Sequence, residues 1–235
     1  MTISRLLCVS LFLLYLVSAP FDKMAHAAEF RILILGDSLT AGYGLQKGQE
    51  YPAVLERIMK QFDYPVKIIN GGVSGDTMYA GSERLEFHLE DKPHLVLIAL
   101  GGNDALRNVP IKITRNAFER ILKTLQQRRI PTAIMGMKAP RNMGREYIAQ
   151  FDSLFPAMAK KYGVPIYPFF LEGVAMVPKY NLSDGVHPNA AGIYKMAEKT
   201  APFVMNLVYH VVQSMNKNQK NNNTETPVIG KQPAE

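Results

Sequence analysis

Apolar positions along this chain alternate between two patterns. Short apolar or β-branched runs at residues 32–35, 65–70, 94–100, 132–137 and 164–167 are too brief for helices and read as strands. The run at 94–100 is apolar throughout, as expected of a parallel strand covered on both faces. Prolines 165 and 168 place the last run at a sheet edge. Between the runs, apolar residues recur every three or four positions. Tyr51, Val54, Leu55, Ile58, Met59 and Phe62 do so behind Pro52, which a helix tolerates in its first turn. Further helices are expected over 85–89, over about 114–128 through Ala117, Ile121, Leu122 and Leu125, around Ile148, Phe151, Leu154, Phe155 and Met158 with a bend at Pro156, and over 190–212. Strand and helix in turn predict an α/β chain, a parallel sheet between helical layers in a three-layer α/β/α sandwich. Right-handed crossovers then gather the carboxyl ends of the first three strands on one rim.

Each of those strands runs out in glycine: Gly36-Asp37-Ser38, Gly71-Gly72-Val73-Ser74-Gly75-Asp76, and Gly101-Gly102-Asn103-Asp104. Ligands of open α/β sheets bind at this rim, so Ser38 stands where a nucleophile would be useful. A serine needs a base, and the base needs a partner to fix its tautomer. Asp184 and His187, three residues apart in the tight turn Asp184-Gly185-Val186-His187-Pro188, can supply both. Donors for a developing oxyanion could come from the Asn103 amide and from backbone N–H groups of the glycine turns. At this level Gly71, Gly72 and Gly75 remain alternatives to one another, and each glycine also suits an ordinary turn. The loop at 41–48 lacks the glycine spacing of a nucleotide site, no H-E-x-x-H or histidine cluster suggests a metal, and no G-x-S-x-G elbow surrounds Ser38 or Ser74. No cofactor is expected.

Composition narrows the setting. The chain has 235 residues, 47% of them hydrophobic, enough for one sizeable core. Its formal charge of +7 is spread along the sequence rather than gathered in a basic block, which argues against nucleic acid as a partner. Arg5, the apolar run at 6–17 and Ala25-His26-Ala27 together describe a signal peptide over residues 1–27. The run falls short of the roughly 20 residues that span a bilayer, so no membrane anchor is expected after cleavage. Removal of the segment takes away Cys8, the single cysteine, and with it disulfide and thiolate chemistry. A folded domain over 28–212 and a polar, disordered tail over 213–235 complete the expected organisation.

These blocks resemble those of the SGNH hydrolases, also known as GDSL esterases and lipases: Gly36-Asp37-Ser38-Leu39, Ser74-Gly75-Asp76-Thr77, Gly101-Gly102-Asn103-Asp104 and Asp184-Gly185-Val186-His187-Pro188. The likeness extends through Pro140-Arg141-Asn142-Met143-Gly144-Arg145-Glu146-Tyr147 and covers about residues 30–207. It is most similar to the bacterial exported thioesterase I enzymes, which also act as arylesterases and lysophospholipases. The resemblance implies a flavodoxin-like sheet of five parallel strands. It implies Ser38 as nucleophile, His187 as base, Asp184 as its orienter, and an oxyanion hole made of the Ser38 and Gly75 N–H groups and the Asn103 side chain. It also implies a mobile loop at 105–110 that helps hold the acyl chain. The expected substrate is a small acyl ester or thioester, and the expected enzyme an exported monomer, periplasmic in a Gram-negative source. Contact of the basic surface with lipid or envelope stays open. Two other readings remain: a carbohydrate O-deacetylase on the same scaffold, or an envelope-binding module without turnover.

Overall fold

The computed structural model describes residues 29–224, with side chains through residue 218. The expected signal peptide at 1–27 and the end of the chain from 225 lie outside the described residues. In chain order the elements are β1 (Phe30–Gly36), α1 (Ser38–Ala41), α2 (Tyr51–Gln61), β2 (Val66–Gly72), α3 (Met78–Glu83), α4 (Leu85–Leu89), β3 (Leu95–Ala99), α5 (Gly102–Leu106), α6 (Ile111–Gln127), β4 (Thr132–Met135), α7 (Arg145–Tyr162), β5 (Ile166–Tyr167) and α8 (Ala190–Thr224).

The sheet is five-stranded and parallel, in the order β2-β1-β3-β4-β5. This is the doubly wound flavodoxin order, whose strand sequence reverses between β1 and β3 and opens a crevice there. Short β5 lies at the edge, as its flanking prolines require. On one face α2 packs against α8; on the other, α6 packs against α3 and α7. The middle of the sandwich is dry: Ile32, Leu33, Ile34 and Leu35 of β1, Val96 and Leu97 of β3, and Tyr51, Leu55 and Met59 of α2 are fully buried. Burial of whole side chains of this kind contributes roughly 1.5–3 kcal/mol apiece. The Tyr51 hydroxyl is matched inside this layer by Thr200 Oγ1 at 2.8 Å.

Two differences from the sequence reading have physical causes. Helices α1, α3 and α5 span four to six residues, too short for periodicity to reveal, and α1 and α3 are held by side-chain caps from Asp37 and Thr77. Helix α7 runs through Pro156 as one element, the single helix expected there. Helix α8 continues past residue 212 to Thr224, into the segment expected to be a disordered tail. No proline interrupts it between 213 and 224.

Candidate active site

Ser38 opens α1 directly beyond the carboxyl end of β1. Asp37 caps that helix, its Oδ1 accepting the Leu39 N–H at 3.0 Å. The serine is 9% exposed, which leaves its hydroxyl at the floor of the crevice. The segment before α8 returns across the sheet to meet it. The His187 ring lies with Nε2 at 3.1 Å from Ser38 Oγ and Nδ1 at 2.7 Å from Asp184 Oδ2. With the ring proton on Nδ1, donated to the carboxylate, Nε2 is free to accept the serine O–H.

The Asp184 turn is built to hold that carboxylate. Its Oδ1 accepts the backbone N–H groups of Val186 at 2.9 Å and His187 at 3.0 Å, and Gly185 takes the left-handed backbone (φ +69°) that closes the turn. The His187 backbone N–H first, then its side chain and the Val186 N–H, bring the Asp184 carboxyl down to about 2. It therefore stays ionised at any ordinary working pH.

The second and third blocks meet across the crevice. Asn103, in the first turn of α5, donates from Nδ2 to the Asp76 carbonyl at 3.0 Å. Its other N–H meets Asp37 Oδ2 only at 3.5 Å, longer than a good N–H···O bond, so that donor is poorly satisfied. The three glycines left open by sequence now separate. Gly71 and Gly72 end β2, and their lack of a side chain serves close packing: a Cβ on Gly72 would stand 2.3 Å from the Ala41 nitrogen, and one on Gly71 would stand 2.8 Å from the Ile34 carbonyl oxygen. Gly75 lies beyond the strand in a turn closed by the Asp76 N–H on the Val73 carbonyl, with φ +90° as the third residue of a type II turn requires. Part of the loop expected at 105–110 is helical, since α5 reaches Leu106. The Tyr147 hydroxyl lies 3.1 Å from both the Asp104 and Val109 carbonyls, tying the two ends of the segment together.

Two contributors were not singled out from sequence. Asp37 is 1% exposed, and burial pushes its carboxyl up to about 7 against the pull of the Leu39 N–H and the nearby His187. A cap residue before a short helix was the available signal. Tyr43, 52% exposed, lays its ring 4.4 Å from the His187 ring at a 36° tilt. Nothing in the sequence marks that contact. Among the described residues no group of three or more His, Cys, Asp and Glu side chains is placed to hold a metal ion.

Comparison with known proteins follows the same lines. Residues 34–193 match the GDSL-like lipase/acylhydrolase family. The chain is similar to the thioesterase 1/protease 1/lysophospholipase L1 of Escherichia coli (strain K12), with 35% identity over 198 residues, 84% of this chain and 92% of that protein. It is likewise 35% identical to an arylesterase of Vibrio mimicus over 181 residues, 77% of this chain and 88% of the other. The crystal structure of AlinE4, an SGNH-hydrolase family esterase, matches with a TM-score of 0.66 at 44% identity, covering 77% of this chain and 97% of that one.

Proposed function

We propose that this chain, which belongs to the GDSL-like lipase/acylhydrolase family and is an ester-hydrolysing enzyme, cleaves carboxylic esters and thioesters through an acyl-enzyme formed on Ser38. The observation that carries this reading is the unbroken contact from Asp184 through His187 to the Ser38 hydroxyl. As Ser38 Oγ attacks the substrate carbonyl, His187 Nε2 takes its proton and Asp184 steadies the resulting imidazolium. Negative charge then gathers on the former carbonyl oxygen. The Ser38 and Gly75 N–H groups and the under-used N–H of Asn103 are the donors assigned to it, each worth roughly 2.7–4 kcal/mol in such sites. Collapse breaks the bond to the alcohol or thiol, which leaves with the proton from His187. Water, deprotonated by the same ring, then attacks the acyl-serine; the bond from the acyl carbon to Ser38 Oγ breaks, His187 returns the proton to that oxygen, and the acid departs.

Thioesters, aryl esters and lysophospholipids are the substrate classes that the activities named for the relatives bring to this site, with acyl-CoA the thioester proposed here. Export is the accompanying reading, supported by the Arg5, apolar and Ala25-His26-Ala27 pattern of the first 27 residues. Replacing Ser38 by alanine should remove hydrolysis of p-nitrophenyl acyl esters by several orders of magnitude, with far-UV circular dichroism unchanged. Activity surviving in the folded variant would sink the assignment. A panel of acyl esters, acyl-CoAs and lysophospholipids, read as kcat/KM on purified protein, ranks the substrates.

A further inference from the structure

Arg84, between α3 and α4, has no place in the relay described above, yet it connects the strand end that leads to Ser38 with the turn that bears Gly75. Its side chain is only 19% exposed. From one guanidinium, Nε donates to Asp76 Oδ2 at 2.6 Å, Nη1 to the Gly71 carbonyl at 2.7 Å and Nη2 to the Gly36 carbonyl at 2.7 Å. Nη1 also meets His88 Nε2 at 2.7 Å, where the imidazole accepts because arginine has no lone pair to offer. Gly36 ends β1 two residues before Ser38, Gly71 lies at the end of β2, and Asp76 directly follows Gly75. Asp76 is gripped on its other side as well, its carbonyl accepting from Asn103. The turn that bears the Gly75 N–H is thus fastened at its side chain by Arg84 and at its backbone by the amide opposite.

We propose that Arg84 is a positioning residue for the oxyanion site, fixing the turn at 73–76 against the ends of β1 and β2 so that the Gly75 N–H faces Ser38 before substrate arrives. The inference rests on the assignment of Gly75 as a donor under the reading above. A planar fork is what the arrangement demands, because a carboxylate, two carbonyls and an imidazole surround one group; the point charge of lysine cannot reach them all at once. Preorganised donors act only where the oxyanion will form, and small displacements of such groups lower the rate of the chemical step far more than substrate affinity.

The test is Arg84→Lys, assayed with p-nitrophenyl butyrate at 25 °C and normalised by active-site titration so that misfolded protein does not count. The expected result is a kcat lower by roughly 10- to 100-fold with KM within about threefold, below the loss of roughly 10²–10³ seen when such a donor is removed outright. The pH dependence of kcat should keep its shape, since the contacts of His187 are untouched. Asp76→Asn, which keeps the size of the turn's side chain and one oxygen to accept from Nε, should show the same split with a smaller loss. If Arg84→Lys fails to fold, Asp76→Asn decides alone. A titrated Arg84→Lys or Asp76→Asn enzyme with wild-type kcat, or a loss confined to KM or to thermal stability, overturns the inference. Ser38→Ala run beside them separates the two levels: an inactive serine variant with wild-type arginine variants removes only the positioning role, whereas an active serine variant removes the underlying reading.

Discussion

Replacing Asp37 by asparagine turns the burial of one carboxyl into a measurable dependence on pH. In the folded protein this group titrates at about 7 instead of 3.8, chiefly because burial disfavours its charge. Between about pH 4 and pH 7 the native carboxyl therefore holds a proton that the unfolded chain has released, so its contribution to stability falls as pH rises through that window and is level above it. One proton held across one pH unit is worth about 1.4 kcal/mol, which over the window amounts to roughly 4 kcal/mol. Asparagine keeps the oxygen that caps Leu39 and carries no charge to bury. Any constant loss from the altered hydrogen bonds moves its whole stability curve without changing the slope. Urea unfolding of both proteins at pH 5, 6, 7 and 8 should show the variant gaining on the parent by about 1.4 kcal/mol per pH unit up to pH 7 and by little beyond. Above about pH 7, where the native carboxyl is charged, the same change removes a negative charge that attracts protonated His187, so kcat measured at pH 8 should fall while stability rises. A stability difference that stays constant from pH 5 to 8 would refute the reasoning.

Other substitutions probe other contacts. Asn103→Ala should lower kcat by roughly 10²–10³ with little change in KM, measured as steady-state hydrolysis of the same esters. Gly72→Ala would drive a Cβ to 2.3 Å from the Ala41 nitrogen, backbone against backbone, and urea unfolding should record a loss of roughly 1–3 kcal/mol or more. Tyr43→Ala removes a ring from the face of His187; such pairs are worth about 0.5–1.5 kcal/mol, so kcat/KM should drop by roughly two- to tenfold. An unchanged value there would mean the ring merely covers the imidazole.

The strands and long helices were legible because burial on two faces, or on one, leaves a periodic trace, and β1, β3, α2 and α6 carry it plainly. The contact of Asp184, His187 and Ser38 was legible for another reason: two of the three share one turn, and the need of a rim serine for a base, with the resemblance of the blocks to those of the SGNH hydrolases, joined the third to them. What stayed hidden depends on approach between segments distant in sequence. Gly71 and Gly72 look like turn residues until α1 is seen against β2, and Arg84 looks like any helical arginine until carbonyls at the ends of β1 and β2 are seen to point at it. Carbonyl acceptors leave no mark on residue type. Asp37 belongs between the two cases, since its capping role is local but its depth of burial is not.

The hydroxyl and the imidazole that meets it are separated by 149 positions, and the turn bearing the imidazole is anchored just ahead of α8. Under the roles proposed above, the nucleophile is made first during synthesis and the base only when nearly four-fifths of the 235 residues have been joined. On that reading a growing polypeptide is chemically idle toward the acyl groups it passes, and competence arrives with the closing of its final layer.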